Sequence, residues 1–191
     1  NIITGNTYGI WVYYSSNIML LNNIVHSNKE GGIFLDHSSN ITLNQNKMSC
    51  NPYNFRIRGY NLSNFVHNID TSNEVNGKPI YYLINEENQQ IPGDAGFVGL
   101  VNCTNITVKD LRLESNAAGV LFAYTNASKI INTTVVKNYQ GIAFYSSHNN
   151  LITSSKAESN VWSGISLFYS NNNTIEKTTI KWNHYQGCLL Y

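Results

Sequence analysis

The sequence predicts an all-β protein: a right-handed parallel β-helix, or solenoid, of about nine coils of 22–23 residues with three short strands each. Three observations predict it. A glycine before an apolar run recurs at Gly9, Gly32, Gly77, Gly96, Gly119, Gly141, Gly164 and Gly187, and Asn54 holds the glycine position between Gly32 and Gly77. An asparagine keeps the same period three or four residues earlier, at Asn28, Asn51, Asn116, Asn138, Asn160 and Asn183. A third marker lies mid-coil, as in Ser15-Ser16-Asn17, Ser38-Ser39-Asn40 and Ser170-Asn171-Asn172-Asn173. Most glycine steps are 22 or 23 residues, and the step from Gly77 to Gly96 is 19.

The three strands of a coil follow from local pattern. After each glycine the first and third residues are apolar, as in Ile10 and Val12, Ile33 and Leu35, Ile142 and Phe144, and Ile165 and Leu167. Strand side chains alternate faces, so each pair points the same way. A second strand follows the mid-coil asparagine, as in Ile41-Thr42-Leu43, and a third precedes the next asparagine marker, as in Thr134-Val135-Val136. One coil cannot bury its inward face alone. Stacking buries it and gives each strand a parallel neighbour at ~4.8 Å, so nine coils make a rod about 40 Å long.

Composition agrees with many tight turns. The chain has 31 asparagines in 191 residues. Asparagine is a poor helix former that tolerates left-handed backbone, and stacked asparagines satisfy one another's amides. Right-handedness rests on the crossover rule for parallel strands. Leucine-rich repeats and propellers fail on residue pattern and period.

Charged residues make up 12% of the chain and the net charge is +1, so no basic stripe exists and nucleic acid is not an expected partner. Cys50, Cys103 and Cys188 are too few and too far apart for a disulfide framework or a CxxC metal site. No metal or cofactor is expected, and no apolar run is long enough to form a transmembrane segment. The repeat runs to both ends, so the chain is expected to be one β-helix domain over residues 1–191, a segment of something longer, with irregular loops near 61–76 and 84–95.

The segments Ile69-Asp70-Thr71-Ser72-Asn73-Glu74-Val75-Asn76-Gly77-Lys78-Pro79-Ile80-Tyr81-Tyr82 and Leu100-Val101-Asn102-Cys103-Thr104-Asn105-Ile106-Thr107-Val108, with the repeat from Gly141 to Asn160, resemble NosD-like parallel β-helix proteins. They are similar in particular to those of archaeal, methanogen-type cell surfaces. The resemblance implies a right-handed β-helix related to carbohydrate-binding proteins and sugar hydrolases. It also implies an extracellular or cell-surface location, in an S-layer or sheath. It implies no single activity, because one fold hosts many. No motif carries over the copper-enzyme maturation role from which the family takes its name.

Two sets of residues are candidates for function. Asp36 and His37 on one coil, with Arg56 and Arg58 at matching phase on the next, form the best polar cluster, and Asp36 is expected beside Arg58. An active site and a cross-strand ion pair are the two readings of it. The outward positions of the first strand are unexpectedly apolar: Trp11, Tyr13, Phe34, Tyr81, Leu121, Tyr145, Phe168 and Tyr191 make a strip along the rod. Such a strip marks a ligand face or an interface, or a surface covered from outside the segment. Sequons at Asn40, Asn61, Asn102, Asn105, Asn126, Asn132 and Asn172 are glycosylation candidates.

The functional expectation is a non-catalytic surface module for assembly or adhesion, with carbohydrate binding through the strip. Its partners would be a polysaccharide or glycoprotein, or copies of itself in a homo-oligomer or filament. The alternative is a polysaccharide lyase or glycoside hydrolase.

Overall fold

A computed structural model describes residues 1–191. The coils form, but as two stacks rather than one rod. In the first stack the coils' first strands are β2 (Tyr8–Tyr13), β5 (Gly31–Asp36) and β8 (Tyr53–Arg58). Their second strands are β3 (Met19–Leu21), β6 (Thr42–Asn44) and β9 (Asn68–Ile69), and the third-strand ladder is β1 (Ile2–Thr4), β4 (Ile24–His26), β7 (Lys47–Ser49) and β10 (Glu74–Val75). In the second stack the first-strand ladder is β11 (Lys78–Ile84), β12 (Phe97–Val101), β15 (Ala118–Ala123), β18 (Gln140–Tyr145), β21 (Ser163–Phe168) and β24 (Gln186–Leu190). The second strands there are β13 (Thr107–Lys109), β16 (Lys129–Ile131), β19 (Leu151–Thr153) and β22 (Thr174–Glu176). The third are β14 (Arg112–Glu114), β17 (Thr134–Val136), β20 (Lys156–Glu158) and β23 (Thr179–Lys181).

The break comes at Asn76-Gly77. Both residues have positive φ, 51° and 76°, and they turn β10 back on itself into an antiparallel pair with β11. This is the two-residue hairpin that an Asn-Gly pair favours. The third-strand ladder of the first stack and the first-strand ladder of the second thus form one ten-stranded sheet. The hairpin also exchanges the faces of that sheet. Val75, Ile80, Tyr82, Phe97 and Val101 belong to one apolar cluster with the first stack, while Val98, Leu100, Val120 and Phe122 fill the second. The sheet is therefore an inner wall of both stacks, each using a different face.

Two sequence expectations are corrected by this arrangement. The segment 61–76 is not simply a loop: it holds a 3-10 turn at Leu62–Asn64 and the ladder strands β9 and β10. The segment 84–95 is a shortened coil turn, held by bridges from Glu87 to Thr104 and from Gln90 to Thr107. The 19-residue step also shifts the phase. Tyr81 pairs in register with Val98, which pairs with the inward Val120, so Tyr81 faces the second core and is not part of the strip. Its hydroxyl donates to Asp94 at 2.9 Å.

Asparagine supports both stacks from inside the turns. Asn116, Asn138 and Asn160 are buried, and each Oδ1 after the first accepts the backbone N–H of the asparagine one coil earlier, at 2.9 and 3.0 Å. Asn23, Asn46 and Asn73 repeat the pattern in the first stack. Many turn residues have positive φ, among them Asn17, Asn40, Asn102, Asn132 and Asn172. Asparagine adopts this conformation more readily than most side chains. The glycine marker has a packing cause: a Cβ on Gly119 would stand 2.8 Å from Val135 and 2.9 Å from the Gly141 carbonyl.

His67 closes the end of the first stack. It is buried; its Nδ1 accepts the Ile41 N–H at 3.3 Å and its Nε2 donates to the Asn64 carbonyl at 3.0 Å. That arrangement suits only the neutral ring, and burial lowers its pKa from 6.5 to about 4. Between those values the unfolded chain binds a proton that the folded chain refuses, so stability rises with pH there. We expect stability to be level above about pH 6.5 and to fall by up to about 3 kcal/mol as pH drops toward 4. Urea midpoints across that range should show the slope, and His67→Gln should flatten it.

Candidate functional site

The predicted strip is divided between the stacks, and most of its members return to a common place. Trp11, Phe34 and Arg56 align across β2, β5 and β8, as do Tyr13, Asp36 and Arg58. In the second stack Leu121, Ala143, Ser166 and Leu189 align across β15, β18, β21 and β24, with Tyr145 and Phe168 aligned beside them. A cleft of about 860 Å³ lies between the two sets, bordered by Phe34, Arg56, Arg58, Tyr145, Phe168 and Tyr191 among others.

The second stack forms the cleft as a trough. Leu121, Ala143, Ser166 and Leu189 are its floor. One wall is an aromatic row in which Tyr145 and Phe168 stack at 5.1 Å and 19°, and Phe168 meets Tyr191 at 6.5 Å. The other wall is Tyr139 and Trp162, with ring centroids 5.3 Å apart, continued by Tyr53 of β8 in the first stack, 5.7 Å from Tyr139. This second row is absent from the predicted strip, although Tyr139 and Trp162 each stand two residues before a glycine marker. That recurrence was the available signal. Gln140 Nε2 donates to Ser166 Oγ at 3.0 Å and Ser163 also contacts Ser166, so the floor's polar groups satisfy one another.

The strip was expected to lie on the surface, and this is corrected in part. Leu121 is 1% exposed because the first stack covers the outward face of β12 and β15, and Phe34 is 2% exposed beside Tyr8 and Arg56 of its own stack. The cover comes from within the chain. Trp11 and Tyr13 stay exposed, at 49% and 57%, and do not border the cleft.

The predicted polar cluster assembles, with one change of partner. Asp36 is in register with Arg58, yet its ion pair is with Arg56, Oδ1 to Nε at 3.2 Å. Trp11 Nε1 donates to the other oxygen, Oδ2, at 3.0 Å. Arg56 also lies over the Phe34 ring, 5.2 Å from its centroid. Asp36 is 2% exposed; Oδ2 accepts the Trp11 bond, whereas Oδ1 has the Arg56 charge beside it but accepts no hydrogen bond. Arg58 has no ion-pair partner. His37 stacks on Tyr14 at 4.8 Å and 9° and lies 4.4 Å from Tyr60, with neither ring nitrogen hydrogen-bonded. Burial, then the nearby Arg58 charge, lowers its pKa below the usual histidine value. Burial pushes the Tyr145 phenol up to about 12 against the opposing pull of Arg58 and Arg56, so it is a protonated donor at neutral pH.

Six sequon asparagines are exposed and Asn126 is half-buried. Several already use the amide nitrogen in ladders: Asn40 donates to Asn17 at 2.6 Å and Asn102 to Asn85 at 2.8 Å.

These features define a class: a parallel β-helix in two stacks, with an aromatic cleft where they meet. The profile of the family described as "Periplasmic copper-binding protein (NosD)" matches residues 78–191, and that of "Right handed beta helix region" matches residues 1–78. The chain belongs to the NosD family, and its coils are right-handed. Among solved structures it is similar to the periplasmic alginate epimerase AlgG, at 16% identity and a TM-score of 0.41, over 88% of this chain and 36% of that one. It is also similar to the A-module of the mannuronan C-5 epimerase AlgE4 of Azotobacter vinelandii, at 12% identity and a TM-score of 0.43, over 95% of this chain and 63% of that one. The chain thus spans less than two thirds of either. None of the curated proteins matches it.

The family description raises copper, and the donor set does not fit it. Copper sites draw on His, Cys and Met. No three His, Cys, Asp or Glu side chains gather anywhere in the chain. Met48 is enclosed in the first core, and Cys103 is buried with its Sγ toward the Val101 carbonyl at 3.3 Å. No helix is long and apolar enough to cross a membrane.

Proposed function

We propose that the chain is a glycan-binding β-helix that acts outside the cytoplasm, holding an extended polysaccharide in the cleft as part of a surface or adhesive assembly. The carrying observation is the pair of aromatic rows flanking a floor of small and aliphatic residues. Flat rings with polar edges suit the faces of sugars. The rows run along the stack, so they repeat at the strand spacing of ~4.8 Å. That is close to the length of one pyranose unit, and an extended chain meets an equivalent ring at each rung. The periplasmic description of the family and the exposed sequons support the location.

Hydrolysis is less well supported. It needs two carboxylates across one glycosidic bond. Glu30 is the one carboxylate that borders the cleft, and Asp36 is occupied behind it.

The test is retention of the full chain in affinity electrophoresis through a panel of polysaccharides. Trp162→Ala with Phe168→Ala should weaken retention by about ten-fold or more, with the melting temperature little changed. Equal retention by the variant would sink the reading. Assembly through copies of itself is a second reading, favoured by the exposed Trp11, Tyr13 and Tyr14. Light scattering across a concentration series distinguishes it: growth in mass without sugar favours assembly, and a constant monomer mass removes it.

A further inference from the structure

This inference rests on the glycan reading of the cleft and deepens it. We propose that the cleft receives the end of an acidic glycan, with the carboxylate of its terminal sugar held by Arg58 at the closed end of the trough.

The trough has a blind end. The floor ends at Leu121, which is 1% exposed and shares one apolar cluster with Ala123, Phe55, Phe65 and Phe97. The start of β8 is bonded across the same seam, Asn54 N–H to the Ser115 carbonyl at 2.7 Å and Ala117 N–H to the Phe55 carbonyl at 2.9 Å. A bound chain cannot run on through this seam, so the sugar that reaches it is terminal.

The blind end is also where the free cation stands. Arg56 is engaged by Asp36 and Phe34, whereas Arg58, two residues on, borders the cleft with no carboxylate of its own. It stands close enough to Tyr145, His37 and Tyr14 to favour loss of a proton at each. An unpaired guanidinium beside aromatic walls is complementary to an anion. Its planar fork suits a carboxylate, which takes two parallel N–H bonds. The Tyr145 hydroxyl is a second donor, with no partner in the protein. Ile57 and Gly59 add a third contribution. The Arg58 carbonyl bonds His37 N–H on the β5 side, so the alternate backbone groups at Ile57 and Gly59 face away from β5 and border the cleft. Glu30, near Tyr53 on the opposite wall, disfavours an acid there. Selection for the carboxylate is therefore local to Arg58.

The experiment is calorimetric titration of the full chain with uronate oligomers of several stereochemistries, their carboxyl-reduced counterparts and a sulfated oligosaccharide. A uronate oligomer should bind more tightly than its reduced counterpart. Arg58→Gln should weaken the uronate by about ten- to a hundred-fold and leave the reduced sugar unchanged. A long uronate polymer should take up protein in proportion to its ends rather than its length. Equal affinity for acidic and reduced sugars would overturn the carboxylate assignment and leave the glycan reading standing. Equal or tighter binding of the sulfated sugar would also overturn it. Uptake in proportion to polymer length would overturn end recognition. If no sugar binds, acidic or neutral, the glycan reading itself falls and this inference falls with it.

Discussion

Phe55→Ala is expected to cost about 3–5 kcal/mol of folding free energy, the range for removing a fully enclosed aromatic ring. Phe55 is 0% exposed, sits edge-on to Phe97 at 5.1 Å, and belongs to the cluster that joins the two stacks. Its backbone carbonyl is also part of the seam, bonded to Ala117. The cavity would lie between stacks rather than within one, and neither stack can collapse into it without parting from the other. The urea midpoint by circular dichroism measures the loss. Hydrogen exchange should locate it at the amides of β8, β12 and β15. A loss below about 1 kcal/mol would mean that the stacks hold together through the shared sheet alone.

Asn138→Ala should destabilise the second stack by about 3 kcal/mol or more. Its Oδ1 accepts the Asn116 N–H at 2.9 Å and its Nδ2 donates to the Leu113 carbonyl at 3.1 Å, all out of water. Truncation leaves a buried donor and a buried acceptor unpaired, each costing about 1–3 kcal/mol. Coils contact only their neighbours, so the damage should concentrate on β14, β17 and β20. Asn138→Asp is expected to be at least as harmful, because it exchanges a needed donor for a buried charge. At about 2–4 °C per kcal/mol for a chain of this size, thermal unfolding resolves both variants. A melting temperature within a degree of the parent would show that the ladder contributes little.

Much of the coil was readable before any coordinates. The inward pairs Ile142 with Phe144 and Ile165 with Leu167 lie in the second core, and the Asn116, Asn138, Asn160 and Asn183 series is a hydrogen-bonded ladder. Each coil repeats its neighbour, so local pattern and long-range packing carry the same information. The hairpin was harder to see, since Asn76-Gly77 has the composition of an ordinary coil turn. What marks it as a reversal is that two cores take opposite faces of one sheet, a property of packing and not of period. The Tyr81 error follows from that event, because the phase slips where the chain turns over. The site was half legible. Asp36, Arg56 and Arg58 lie on adjacent strands as their matching phases suggest, whereas Tyr145 and Phe168 reach them only because the chain folds back at Asn76-Gly77. The pairing of Asp36 with Arg56 is a diagonal contact, two residues off the register partner Arg58, which matching phase does not specify.

On the glycan reading proposed above, the face-exchanging sheet would make the protein a ruler. The first stack sets where the trough begins, and the second stack sets how far it extends. Duplicating one coil in the second stack, such as the segment from Gly141 to Ser163, would insert one more rung of ~4.8 Å on each aromatic row and leave the closed end untouched. Because such coils interact only with adjacent ones, lengthening does not require the rest of the molecule to be redesigned. Relatives that differ in coil number beyond this hairpin would then differ in how many sugars they span, with the same terminal unit read at the same arginine.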